Sequence, residues 1–524
     1  MISPLPSHVQ ILVVGGGPAG SYCASILARE GFSVVILEAA TFPRYHIGES
    51  MLPSIRPFLK FSGADDKVAS HGFCPKPGAA VKFQQHKREG YTDFSSLSGS
   101  NNGYNAAAWN VRSEFDEILL RHAEELGAKV FENHRVARLI FADNNTGKGR
   151  PIRAEFKCPD GELRSISFDY LVDASGRAGI MSTKYLKNRK MNNTLRNVAS
   201  WGYWTGAKRY MPGSQRDNAP FFEALTDGSG WAWFIPLHDG TVSVGIVTDQ
   251  ASGIARKALS ASNGVHYSTK DDYLAQLRLA PTAVLQGEGS RTRIHSASDY
   301  SYAADRYSGD HFRLIGDASA FIDPFFSSGV HLALLGALTA AASISASIRK
   351  TCSELQAAQF HDKKVAIAYT RFLLVVMGVY KQIRNQDLHI LAEVDEDNFD
   401  RAFDILRPVI QGTADVGKTI SEVELQKTMD FCKDIFAPTD PQMHEAVGAR
   451  LGPELCSPSA PIMTDHEIEA LAQDDNEAKL VLKEINARKA VHTMYDGPIH
   501  VAAESVDGLV LNLQVGNFGL KNVQ

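Results

Sequence analysis

VQILVVGGGPAGSYCASILAREGFSVVILE, residues 9–38, contains a complete strand–turn–helix–strand unit. Val9 to Val14 is a short, nearly unbroken apolar run, as a strand covered on both faces requires. Gly15-Gly16-Gly17-Pro18-Ala19-Gly20 follows, and a helix is expected through about Arg29. Val34 to Glu38 reads as a second, parallel strand, which makes the whole a βαβ unit opening a doubly wound sheet. The glycine spacing suits a dinucleotide. Gly15 permits the tight turn, Gly17 lets the backbone approach a pyrophosphate, and Gly20 lets the helix pack on the sheet. Gly16 and Ala19 complete the loop, whose free N–H groups and helix dipole favour phosphate. Glu38 ends the second strand 18 residues after Gly20 and suits a ribose hydroxyl.

The chain has 524 residues, ample for a buried core. A net charge of −5 argues against a nucleic-acid footprint. Six cysteines, Cys23, Cys74, Cys158, Cys352, Cys432 and Cys456, are scattered without CxxC spacing. Neither a zinc site nor a redox pair is expected from them. MISPLPSHVQ lacks the basic and apolar regions of a signal peptide, so the expectation is a cytoplasmic protein, with the triplets at Asn144 and Asn192 unglycosylated. Val330 to Ile348 is the longest apolar stretch. Its His331, Thr339 and serines favour a buried helix over a membrane span, and Phe372 to Val379 is too short to span.

Ser113 to Leu126 is amphipathic, with Phe115, Ile118, Leu119, Ala123 and Leu126 on one face and Gly127 to end it. Ser113 and Asp116 fit a capping box. From about Ala199 to Val247 the pattern turns to strands, Thr241 to Val247 alternating, which predicts an inserted β-sheet over about 195–300 within a core of 1–350. The region 351–524 reads mostly helical and is expected to contribute to a substrate pocket. LAEVDEDNFD (391–400) reads as a solvated acidic face, and CSPSAP (456–461) as a loop.

Leu314-Ile315-Gly316-Asp317-Ala318 delivers a Gly-Asp from an apolar strand to a helix start, and Tyr170 to Arg177 (YLVDASGR) is a third matching piece. Together with the glycine turn, these segments resemble the FAD-binding fold of para-hydroxybenzoate hydroxylase. Further segments resemble flavin-dependent halogenases, especially the fungal type acting on phenolic polyketides. They are PRYHIGESMLPSIRP (43–57), GAAVKF (78–83), REGYTDF (88–94), WNVRSEFDEIL (109–119), GWAWFIP (230–236) and DPFFSSGVH (323–331).

The resemblance implies FAD as cofactor, reduced by a separate flavin reductase, with chloride as the substrate ion. Reduced flavin and oxygen then convert chloride to hypochlorous acid, which travels to a phenolic ring kept away from the flavin. Trp231, Trp233 and Pro236 are implied as the wall between them. Lys82, in an apolar stretch, is implied to direct the halogen, either by hydrogen-bonding hypochlorous acid or by forming a chloramine. The first role needs the ammonium and the second the free amine. Lys76 lies nearby, but Pro75 and Pro77 give it the look of a loop residue. Ser328 and Gly329 open the apolar helix near Val330 and suit a halide, since helix N-terminal N–H groups favour anions. Glu49, Arg112, Gly316, Asp317 and Val330 are implied FAD contacts. Tryptophan halogenases carry a glutamate where Phe326 stands here, which favours rings that activate themselves over tryptophan. Two rival readings make different predictions. An aromatic hydroxylase of the same fold needs NAD(P)H, and a non-catalytic flavin-binding protein forms no aromatic product.

Overall fold

The computed structural model describes residues 5–85, 89–93, 112–142, 149–214, 216–264, 268–282, 293–384, 441–455, 463, 465–483, 485 and 505–523. Asn144, the acidic run at 391–400, Cys432 and the loop at 456–461 lie outside the described residues.

Strand β1 (His8–Val14) runs up the centre of the first sheet, with Ile11, Leu12 and Val13 fully buried. The glycine turn leads into helix α1 (Pro18–Arg29), and β2 (Val34–Leu37) returns parallel to β1. On its other side β1 pairs in parallel with β8 (Leu163–Asp173), which pairs in parallel with β15 (Phe312–Leu314). The carboxyl ends of these strands converge, and they carry the glycine turn, Asp173 and the Gly316-Asp317 turn. Ligands bind at such strand ends in open α/β sheets.

The second sheet has seven strands, and its two faces meet different partners. Its strands β9 (Arg189–Thr205), β10 (Phe221–Ala224), β11 (Gly230–Pro236), β12 (Thr241–Asp249) and β13 (His295–Ala304) form the insertion. The insertion is wider than the sequence boundaries of about 195 and 300 suggest. The sheet also recruits β3 (Gly78–Lys82), parallel to β10, and β4 (Gly90–Asp93), antiparallel to β3. One face packs Val81, Phe222, Trp231 and Trp233 against Phe325, Phe326, Phe372 and Tyr380. The other packs Ala80, Phe221, Phe234 and Ile246 against Tyr273 and Leu277 of α6 (Thr269–Leu277).

Helix α7 (Gly329–Ile348) is the only helix among the described residues long and apolar enough to cross a membrane, and 89% of its apolar window is buried in the protein. α1 and α8 (Glu354–Arg384) flank it, so its apolar surface belongs to the core. α4 (Arg112–Glu125) departs from its sequence reading at the start. Ser113 lies inside the helix, and the Asp116 carboxylate is taken by Arg112 and Arg44 instead of a cap. Gly127, at φ +105°, does follow its end. The C-terminal tail also differs from a helical reading. Leu509–Asn512 and Gly519–Asn522 form an antiparallel hairpin that docks on α7, with Phe518 against Phe61.

Candidate active site

Gly15 sits at φ +106°, and a Cβ there would lie 2.3 Å from the Ala174 carbonyl oxygen. A Cβ on Gly20 would lie 1.9 Å from the Gly15 oxygen. Both positions therefore exclude any side chain, which closes the turn tightly. Gly17 caps α1 with no side-chain hydrogen bond, leaving the helix N–H groups to a ligand. Arg44 reaches beside Gly17, its guanidinium 3.3 Å from where a Cβ would stand. Glu38 follows β2 directly. Its carboxylate accepts from Gly16 N–H at 2.6 Å and Ala40 N–H at 2.7 Å, which fixes the acid at the turn.

Asp317 follows Gly316, whose Cβ would lie 3.0 Å from Ala19 of α1. The Gly-Asp turn thus presses on the glycine-turn helix. Burial pushes the Asp317 carboxyl up, against the pull of Arg112, Arg177 and Arg189. Asp173 is spent on structure: it accepts from Ser175 N–H, Ser175 Oγ and Met181 N–H. Glu49 is buried, and burial pushes its carboxyl up. Its Oε1 accepts from Tyr203, while its Oε2 is buried with no hydrogen-bond partner among the described residues. That orphan acceptor, the uncapped helix and the arginine beside the turn fit an FAD with its phosphates at Gly17. Val330 is buried in the first turn of the helix Gly329–Ile348.

Trp231 and Trp233 are neighbours, their centroids 5.8 Å apart. Each indole N–H is anchored in a different direction. Trp231 donates to Tyr380 Oη at 2.8 Å; Tyr380 in turn donates to buried Asp323 at 2.7 Å. Trp233 donates to Ser243 at 3.1 Å, and Ser243 also bonds Glu49. Tyr203, Tyr45 and Trp201 extend that chain, with Trp201 donating to Tyr45 at 2.7 Å and Tyr45 bonding Tyr203 at 2.9 Å. The tryptophan pair is therefore tied to the 43–50 segment at one end and to the Asp323 turn at the other. Pro236 ends β11 opposite Val242. Sequence reasoning missed Trp201, Tyr203, Tyr380 and Asn197, which donates to Asp323 at 2.9 Å. Strand register places Asn197, Trp201 and Tyr203, and the packing of α8 on the sheet brings in Tyr380.

Ser328 is fully buried, and its hydroxyl has no hydrogen-bond partner among the described residues. Ser327 before it takes φ +57°, and Gly329 begins α7. Phe326 and Phe325 meet edge to face at 5.0 Å, and Phe325 meets Trp231 the same way at 4.9 Å.

The two lysines occupy opposite environments. Side chains alternate along β3, so Lys82 shares the face of Ala80, not that of Val81. That face is turned towards α6 and away from Trp231, Trp233 and Phe325. Lys82 is half-buried, sits opposite Glu223 and donates to Thr282 at 3.1 Å. Lys76 is 2% exposed and donates to Ser50 Oγ at 2.7 Å and the Met51 carbonyl at 3.0 Å, directly after Glu49. Burial holds its ammonium down, to about 7.

The nucleotide turn, the Gly-Asp turn and the anchored aromatic sheet define an FAD-binding enzyme, and an FAD binding domain model matches residues 8–370. The chain belongs to the flavin-dependent halogenases. It is 88% identical to the flavin-dependent halogenase armH4 of Armillaria mellea over 100% of both chains. It is 42% identical to the sulochrin halogenase gedL of Aspergillus terreus, over 99% of this chain and 94% of that one. Among solved structures, the myxobacterial chondrochloren halogenase CndH superimposes with a TM-score of 0.63 at 27% identity, covering 78% of this chain and 90% of that one. These matches bear out the FAD-dependent halogenase reading over a hydroxylase or a silent flavoprotein.

Proposed function

We propose that this halogenase chlorinates a phenolic ring, and that Lys76, in place of Lys82, guides the halogen. The observation that carries the reading is the buried Lys76 amine, held by Ser50 Oγ at 2.7 Å and the Met51 carbonyl at 3.0 Å at the entry to the tryptophan-bearing sheet, where burial pushes it down to about 7. An amine poised near working pH is suited to proton transfer or to attack. Bound and reduced by a separate flavin reductase, FAD would supply with oxygen and chloride the hypohalous acid. Gly15, Gly17, Arg44, Glu38, Glu49, Arg112 and Asp317 would seat it. Ser328 Oγ and the α7 N-terminus would hold chloride, because a buried hydroxyl and free N–H groups suit an anion. Trp231 and Trp233, fixed by their N–H bonds, would keep the ring from the flavin. Lys76 would hold the hypohalous acid by a hydrogen bond or take the halogen as a chloramine.

Phe326 bears on substrate class. The cationic ring formed on halogen attack gains from a nearby carboxylate that takes its proton. A phenol needs such help less, since its own oxygen releases electrons to the ortho and para carbons. The test supplies chemically reduced FAD, oxygen and chloride with a resorcinol and tryptophan in equal amounts. Chlorination ortho or para to hydroxyl is expected, with bromide replacing chloride. A hydroxylated product, or preferential chlorination of tryptophan, would overturn the reading.

A further inference from the structure

Three side chains from three separate elements meet beside the wall sheet. His71 follows α3 (Asp65–Ala69), Glu114 lies in α4, and His238 sits in the turn between β11 and β12. Glu114 Oε2 is 2.5 Å from His71 Nε2 and 3.3 Å from His238 Nε2. All three ligand atoms lie within 4.8 Å of one another. Phe73 packs against both imidazoles, at 4.4 and 5.4 Å between centroids, and so fixes their ring planes.

We propose that His71, Glu114 and His238 form a binding site for a zinc-class divalent cation that clasps the β11–β12 turn to the FAD domain. Two imidazoles and one carboxylate are a donor set for such an ion, with water as the fourth ligand. Bonds of about 2.0–2.1 Å in tetrahedral geometry place ligand atoms roughly 3.3 Å apart. The Glu114–His238 pair already has that spacing, and the His71–Glu114 pair needs to open by less than about 1 Å. Side-chain exposures of 34%, 38% and 22% leave the ion an entry path and room for water. An ion here would tie together parts 43 and 124 residues apart in sequence (114 − 71 and 238 − 114), because a preformed site exists only in the folded chain. Cysteine spacing gave no hint of it, since no cysteine takes part.

The test uses tag-free, chelator-treated, FAD-loaded full-length enzyme titrated with zinc by calorimetry, and with cobalt(II) by absorbance. One zinc per chain is expected, with the intense visible bands of four-coordinate cobalt. Zinc at about a hundred times its Kd should lower the unfolding constant about a hundredfold. Glu114→Gln and His238→Asn should each abolish stoichiometric binding while FAD absorbance and circular dichroism persist. If either variant fails to fold, the wild-type cobalt spectrum and stoichiometry decide. No stoichiometric binding, or binding that survives both substitutions, overturns the proposal.

Discussion

Lys76 lies between two prolines in sequence, yet it is buried in space against Ser50 and Met51. Burial sets its ammonium near 7 against an ordinary value of 10.5, so the unfolded chain binds more protons between those limits. Stability therefore rises with pH through that window and carries the full penalty below it. Wild-type, FAD-loaded enzyme should gain roughly 2 kcal/mol between pH 7 and pH 9 relative to Lys76→Met, read from urea midpoints. Lys76→Met should be no less stable at pH 7, since an apolar chain of similar length replaces a desolvated amine. Parallel pH curves for the two proteins would show that the amine is not desolvated. The sequence could not single out this residue, because Pro-Lys-Pro reads as a loop and burial comes only from chain segments far away. Lys82 drew the eye through its apolar neighbours, yet strand alternation turns it to the other face. Ser328 offers a second residue-level test. Its hydroxyl has no hydrogen-bond partner among the described residues, so Ser328→Ala should hold stability within about 0.5 kcal/mol. The half-saturating chloride concentration in steady-state halogenation should nevertheless rise roughly tenfold, the equivalent of one hydrogen bond. An unchanged chloride dependence would remove Ser328 from the halide site.

β11 and β12 act as one element, and Gly245 makes the room that Trp233 occupies. A Cβ at Gly245 would lie 2.1 Å from the Trp233 ring, so the indole lies flat over this glycine. Gly245→Ala must push the indole aside. Overpacking of this kind costs about 1–3 kcal/mol. Product formed per oxygen consumed should fall as well, since the displaced indole also loses its bond to Ser243. A variant with wild-type stability and wild-type coupling would show that Trp233 is a core residue without a wall role. The alternation in TVSVGIV made β12 legible, but not the pairing of Trp233 with Gly245, which depends on register. Helix α7 was legible for a related reason: an apolar run interrupted by His331 and serines fits a protein core better than lipid. The capping box at Ser113 failed because Arg44, 72 residues away from Asp116, claims the carboxylate. The tail hairpin at 509–522 was hidden within a region whose overall pattern is helical.

The whole molecule joins a nucleotide-binding sheet to an aromatic one, and their connection was only partly visible in the sequence. The glycine turn, Glu38 and the Gly-Asp turn have fixed spacing, so the FAD half could be read from local pattern. The second sheet recruits β3 and β4 from before the insertion, and no local signal announces a parallel pairing across some 140 residues. If a separate flavin reductase supplies the electrons, as proposed, NADH or NADPH alone leaves purified enzyme inactive, and a flavin reductase or chemically reduced FAD restores activity. Turnover with NADPH alone, followed by product analysis, would contradict a separate electron supply. The central claim is that the buried lysine beside Ser50 and Met51, at the entry to the aromatic sheet, delivers the halogen. Its most direct test measures chlorinated resorcinol formed per oxygen consumed, in Lys76→Met and Lys82→Ala side by side, with chemically reduced FAD and chloride. Lys76→Met should retain FAD and oxygen consumption and lose product at least roughly a hundredfold, while Lys82→Ala stays near wild type. Product loss in Lys82→Ala with Lys76→Met unaffected would contradict the claim.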